Sequence, residues 1–176
     1  MNNNLLTIVT PSYERPNLLI RSIRFWSKTN FNHLVLDGSQ NPNAIENEFS
    51  NFPRLNYIHS NSSFHDRICS ISKYVSTKYL VLVADDDLCF PSVFEKCIKF
   101  LESHEDYSSC IGRAIGFGIN NKGNVYPVDN VYGDMANNYK ITDKEPLERL
   151  NSHLIRYMPT NMYGIQRREN WDFIIG

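Results

Sequence analysis

The sequence predicts an α/β protein: a mostly parallel sheet with helices on both faces. Three observations carry this. Short apolar runs alternate with stretches of helical periodicity along the first hundred residues. The runs show no polar alternation, which is the pattern of strands buried on both faces. Polar or turn-forming residues close the runs at their carboxyl ends, as at Gly38-Ser39 and Asp85-Asp86-Asp87.

The elements follow in order. Residues 5–10, Leu-Leu-Thr-Ile-Val-Thr, are apolar and β-branched and predict the first strand. Residues 11–16 make a proline-bounded loop. Leu18, Leu19, Ile20, Ile23, Phe25 and Trp26 recur at helical spacing, so a helix is predicted over 17–28, with Asn17 able to cap it. Residues 33–37 are the second strand, 43–49 a short helix and 55–59 the third strand. Ile68, Ile71 and Val75 share one face of a helix over 66–75. Residues 79–84 are the fourth strand, the most hydrophobic in the chain, and Pro91 suits the first position of the next helix.

The second half is mixed. Residues 110–117 predict a strand, and Gly118, Asn120, Asn121 and Gly123 signal a hairpin before Val125. Residues 128–139 are polar and loop-like. Thr142 or Asp143 can cap a helix over 146–157, 160–165 suit a last strand, and a helix begins at Arg168. The expected organisation is one domain over 1–176, with a ligand-binding half at 5–108 and a smaller mixed part at 109–176.

Composition excludes several classes. The 176 residues are 41% hydrophobic and 21% charged, with a formal net charge of -1, so nothing points to nucleic acid. Cys69, Cys89, Cys97 and Cys110 show neither CxxC spacing nor a zinc pattern, and read as free thiols of a cytoplasmic protein. No apolar run approaches the ~20 residues that span a bilayer, although peripheral membrane contact stays open. GxGxxG and GK[ST] phosphate loops are absent. The five histidines are scattered, so no nucleophilic triad can be drawn from them.

In a right-handed parallel sheet, ligands bind beyond the carboxyl ends of the strands. That rule gathers Thr10 to Arg15, Asp37-Gly38, His59 to Asn61 and Asp85 to Asp87 on one edge. Three adjacent carboxylates behind a buried strand repel one another and call for a cation. Mg²⁺ or Mn²⁺ fits better than calcium, because no spaced calcium loop is present and the smaller ions take one or two carboxylates plus phosphates. The plainer alternative is a solvated turn with Asp87 capping the next helix. Thr10, Pro11, Ser12, Tyr13 and Arg15 form either a proline-shaped loop or a nucleoside pocket with Tyr13 stacked on a base. Asp37 is either a turn former or an acceptor for ribose or base donors. Arg67 is either a surface arginine or a diphosphate partner.

Together these segments resemble family 2 nucleotide-sugar glycosyltransferases of the GT-A, Rossmann-like fold. The resemblance is carried by Thr7-Ile8-Val9-Thr10-Pro11-Ser12-Tyr13-Glu14-Arg15, by Leu34-Val35-Leu36-Asp37-Gly38-Ser39, by Asp66-Arg67, and by Ser76-Thr77-Lys78-Tyr79 running into Asp85-Asp86-Asp87. It covers residues 5–101. It implies that Thr10, Pro11, Ser12, Tyr13, Arg15, Asp37, Arg67, Asp85 and Asp86 bind a nucleotide sugar, with uridine the expected nucleoside. It further implies Mg²⁺ or Mn²⁺ on Asp85, Asp86 and Asp87, inverting transfer, and a glycan or lipid-linked acceptor in a polysaccharide pathway. The sequence departs from the family pattern at Ala84, where an aspartate is usual, and at Ile68-Cys69-Ser70 after the arginine. The family's general base, an acid past a segment like 161–175, has no assignable counterpart. Glu169 and Asp172 are the nearest acids. The alternative is a nucleotide-sugar-binding domain without transfer activity.

Overall fold

The computed structural model describes residues 5–43, 49, 51–128 and 139–175. Most of the predicted helix at 43–49 and of the predicted loop at 128–139 lies outside the described residues. The chain divides into two compact units, Met1–Cys110 with Tyr163–Gly176, and Ile111–Met162.

The first unit holds β1 (Leu6–Ser12), α1 (Pro16–Trp26), β2 (Asn32–Asp37), β3 (Leu55–His59), α2 (Phe64–Cys69), a 3₁₀ turn (Ser70–Lys73), β4 (Tyr79–Leu82), α3 (Pro91–Ser103) and β5 (Ser109–Cys110). The second unit holds the antiparallel hairpin β6 (Gly116–Ile119) and β7 (Val125–Val128), and helix α4 (Pro146–Ile155). The chain then returns to the first unit through β8 (Ile165–Arg167) and α5 (Arg168–Ile175).

The six-stranded sheet has the order β3-β2-β1-β4-β8-β5. β3, β2, β1 and β4 are mutually parallel, while β8 runs antiparallel to both of its neighbours. The sheet is covered on both faces. Leu6, Ile8, Tyr79 and Val81 pack with Trp26 of α1 and with Phe94, Cys97 and Leu101 of α3. Val9, Leu34, Leu36 and Leu80 pack with Ile68 of α2, Ile71 and Val75 after it, and Trp171 of α5. These strands carry apolar residues toward both faces, which explains why their sequences lack alternation.

Several boundaries differ from the sequence reading for local reasons. β1 continues past Thr10 to Ser12. Pro11 still pairs with Leu36 of β2, but the β1–β4 ladder has ended at Val9 and Leu82, so the missing N–H interrupts no bond there. α1 starts at Pro16 rather than Asn17, because proline's fixed φ suits the first helical turn. The predicted strand at 110–117 is two short strands in different units. The helix predicted at 66–75 begins two residues earlier, where Ser63 Oγ accepts from the Asp66 N–H at 3.1 Å and donates to the Asp66 carboxylate at 2.6 Å. α4 starts directly at Pro146, with Glu145 as its cap and no side-chain bond from Thr142 or Asp143.

Candidate functional site

Strand order places β1 between β2, which follows it in sequence, and β4, which does not. The crossovers diverge at that point, and such a switch point opens a crevice at the carboxyl edge of a parallel sheet. Ser12 ends β1 there, and Asp85 lies just beyond β4. The Ser12 hydroxyl donates to Asp85 Oδ2 at 2.7 Å, with both residues buried. The carboxylate is held further by Arg15, whose Nη1 donates to Asp85 Oδ1 at 3.0 Å and to Asp86 Oδ2 at 2.9 Å. Arg21 of α1 donates to the Asp85 backbone carbonyl at 3.1 Å. The acidic run is thus split by geometry. Asp85 and Asp86 converge on one cationic nitrogen, whereas Asp87 accepts from the Tyr163 hydroxyl.

The adjoining loop is pinned across to β2. Glu14 stands at φ 54°, in the left-handed region that non-glycine residues seldom occupy. Its N–H donates to Ser39 Oγ at 2.9 Å, and its carboxylate accepts from the Gln40 N–H at 2.7 Å. Tyr13 beside it is 57% exposed, with its ring free of the core. Thr10, by contrast, is fully buried, and its hydroxyl is bonded to His33 Nε2 at 2.9 Å.

Asp37 closes β2 and has no exposed surface. Its Oδ1 accepts from the N–H of Ser39 at 2.9 Å and the hydroxyl of Ser39 at 2.6 Å. Its Oδ2 accepts from Asn43 Nδ2 at 2.6 Å and the Tyr57 hydroxyl at 2.5 Å. Burial alone would raise this carboxyl's pKa. The hydrogen bonds from Ser39, Tyr57 and Asn43 outweigh burial and hold it below the ordinary carboxylate value. The same environment pushes the Tyr57 phenol upward, first by burial and then by its bond to the Asp37 carboxylate.

Arg67 lies against this turn. It is 6% exposed, and its Nη1 donates to the Ser62 carbonyl at 2.5 Å. Its Nε has no hydrogen-bond partner, and among the described residues no carboxylate pairs with it. The guanidinium occupies the space over Gly38, where a β-carbon would meet its atoms at 2.1–2.5 Å. A buried cation without an acid is costly unless an anion or dipole is supplied to it.

The sheet therefore brings Ser12, Arg15, Asp85 and Asp86 together on one side of the edge, and Asp37 with Arg67 on the other. Sequence reasoning missed Ser39, Asn43, Tyr57, Arg21 and Tyr163. The Asp37-Gly38-Ser39 spacing does carry a signal for Ser39, because an aspartate commonly bonds the backbone two residues on. Tyr57 meets Asp37 only through the register of β2 with β3, in which Val35 faces Tyr57, and Asn43 reaches it from the loop after β2.

The family model described as Glycosyl transferase family 2 matches residues 7–167. Among solved structures, the chain is similar to S. aureus TarS 1-349, with a TM-score of 0.58 and 15% identity over 94% of this chain and 48% of that one. It is also similar to the mannosyltransferase PcManGT from Pyrobaculum calidifontis in complex with GDP-Man and Mn2+, with a TM-score of 0.53 and 14% identity over 62% of this chain and 36% of that one. The chain thus spans half or less of these structures. No curated protein sequence matches it. The likenesses are of fold, and the fold is that of the GT-A glycosyltransferases. The strand, turn and acid segments at the sheet edge all fall inside the matched residues, and the chain belongs to glycosyl transferase family 2.

Proposed function

We propose that this chain binds a nucleotide-diphosphate sugar, with UDP the expected nucleotide, and transfers the sugar with inversion to a glycan or lipid-linked acceptor in polysaccharide synthesis. The observation that carries this reading is Arg67. An arginine 6% exposed, with an unpartnered Nε at the carboxyl edge of a parallel sheet, fits an anionic or carbonyl-bearing ligand. Tyr13, just past the end of β1, offers an exposed ring for stacking on a base, with Thr10 and Pro11 in the strand that carries it. Asp37 is assigned to the nucleoside end.

At the other end, the donor set suits a divalent ion. Asp85 and Asp86 already converge on one cationic nitrogen, and two carboxylates completed by diphosphate oxygens suit Mg²⁺ or Mn²⁺. Among the described residues no group of three or more His, Cys, Asp or Glu forms a closed metal cage, so the nucleotide is left to supply the remaining ligands. Asp87, which accepts from the Tyr163 hydroxyl, is the third candidate ligand. The ion, when bound, would offset the charge of the leaving diphosphate. Arg15 would then turn from the acids to the phosphates, and Ser12 would keep Asp85 in place. The PcManGT complex named for GDP-Man and Mn2+ supports such a donor and metal. Among the described residues no helix is long and apolar enough to cross a membrane. We assign the chain to the cytoplasm, where its four free cysteines would stay reduced.

The test is thermal stabilisation by UDP with Mn²⁺. The melting temperature is expected to rise in the native chain, and not in Asp86→Ala or with chelator. A chain indifferent to millimolar UDP and Mn²⁺ would rule the reading out. Binding without donor hydrolysis or transfer would leave a nucleotide-sugar-binding domain in its place.

A further inference from the structure

The carboxylate at the end of β2 has no acceptor position left. An ionised carboxylate offers about four lone-pair sites. In Asp37 they are filled by the Ser39 N–H, the Ser39 hydroxyl, the Asn43 amide and the Tyr57 hydroxyl. The side chain is also wholly buried. Any ligand that bonds Asp37 must take a place the protein now holds.

The four donors are not equally replaceable. Ser39 is 3% exposed, contributes both of its bonds from a tight turn, and also accepts from the Glu14 N–H. Tyr57 stands inside β3, in register with Val35. Asn43 belongs to no strand or helix. It reaches Asp37 Oδ2 through its side-chain amide at 2.6 Å, and it donates its backbone N–H to the Tyr57 hydroxyl at 2.9 Å. It is the one donor whose departure disturbs neither the packing of the Tyr57 ring against Leu19, Ile23 and Val35 nor the Asp37-Gly38-Ser39 turn.

We propose that Asn43 is an exchangeable occupant of Asp37, displaced by the ring N–H of an incoming nucleobase. Nucleoside affinity is then a competition between two N–H donors for one carboxylate oxygen. The chemistry selects bases that present a ring N–H at that edge, as uracil does between two carbonyls and guanine between a carbonyl and an amino group. Cytosine places a ring acceptor at that position and faces the carboxylate with a lone pair. Tyr57 keeps its bond to Oδ2 throughout and holds the carboxylate in line. This inference rests on the nucleotide-sugar reading and adds the residue that gates its nucleoside end.

The experiment is calorimetric titration of the native chain and Asn43→Ala with UDP, GDP and CDP, each with Mn²⁺, alongside melting without ligand. Removal of the competitor is expected to tighten UDP or GDP binding on the order of tenfold, the scale of one hydrogen bond to a charged group. CDP should gain nothing. The ligand-free variant should melt lower, since Asp37 has lost a donor, and the productive nucleotide should recover that loss. Asn43→Ser, too short to reach, serves if the alanine variant folds poorly and should behave alike. Unchanged or weaker UDP and GDP binding in the variant, with binding retained by the native chain, overturns the exchange alone. No binding of any nucleotide to either chain overturns it together with the nucleotide-sugar reading.

Discussion

Gly38 is a glycine because Arg67 lies on it. The Asp-Gly-Ser sequence reads as a turn, and the usual reason for glycine in a turn is a positive φ. Among the described residues only Gly123 of the glycines takes one. Gly38 instead supplies space, since a β-carbon there would sit 2.1 Å from Arg67 Nη1 and 2.2 Å from Cζ. The residue was legible and its reason was not, because nothing in sequence spacing tells which side chain crosses over a turn. Gly38→Ala should therefore act through Arg67. The guanidinium must leave its buried seat, at about 1–3 kcal/mol for overpacking. Nucleotide affinity should fall together with stability. Arg67→Met in the same background separates the two. If stability alone is governed by the clash, the double variant regains part of its melting temperature, while UDP binding stays lost. A Gly38→Ala chain that binds UDP normally would remove Arg67 from the site.

At the scale of an element, β2 ties stability to pH. His33 is buried on this strand at 1% exposure, with Nε2 bonded to the Thr10 hydroxyl and Nδ1 unpartnered. Burial holds its pKa down to about 3, against an ordinary 6.5. The folded chain therefore refuses a proton that the unfolded chain accepts. The contribution is complete above pH 6.5 and falls away as the pH drops from there toward 3, at up to about 1.4 kcal/mol per pH unit. Asp37 works in a lower window. Its depressed carboxyl favours the fold above its ordinary value of 3.8 and loses that advantage as pH falls below it. Urea unfolding at pH 7, 6 and 5 should show the histidine slope, and His33→Phe should flatten it. Equal slopes in the two chains would assign the acid sensitivity elsewhere. The apolar run of residues 33–37 made β2 readable. That its first residue is a neutral buried imidazole came from β1, which supplies Thr10. α2 shows a similar division. Its apolar face was readable, but its break at Ser70, whose hydroxyl donates to the Arg67 carbonyl at 2.7 Å, is a side-chain competition that periodicity does not register.

For the whole molecule, the four parallel strands and the edge they share could be read from the sequence, because each strand is apolar on both faces and ends in polar residues. The last strand could not be placed. β8 has three residues, runs antiparallel, and enters the sheet between β4 and β5, so its neighbours come from distant segments. What fixes it there is Arg167, the last residue of the strand. The residue is 7% exposed. Nη2 donates to the carbonyls of Leu101 at 2.8 Å and His104 at 3.0 Å, where α3 ends. Nε donates to the Tyr107 carbonyl at 2.8 Å, and Nη1 to the Tyr79 hydroxyl at 3.3 Å. α3 has no basic residue of its own in its last turn, so this cation, arriving about sixty residues later in the chain, serves its orphan carbonyls. Arg167→Met keeps the aliphatic length and removes every donor. Each buried carbonyl left alone costs about 1–3 kcal/mol, so a loss of several kcal/mol is expected. Arg167→Lys should recover only part of it, because an ammonium cannot serve carbonyls spread around a planar fork. Urea unfolding gives the stability, and hydrogen exchange shows where the loss falls. The amides of β8 and the end of α3 should lose protection together, while those of β2 and β3 keep theirs. Protection lost evenly over the sheet would mean that the returning segment is held by the packing of Trp171 rather than by this one side chain.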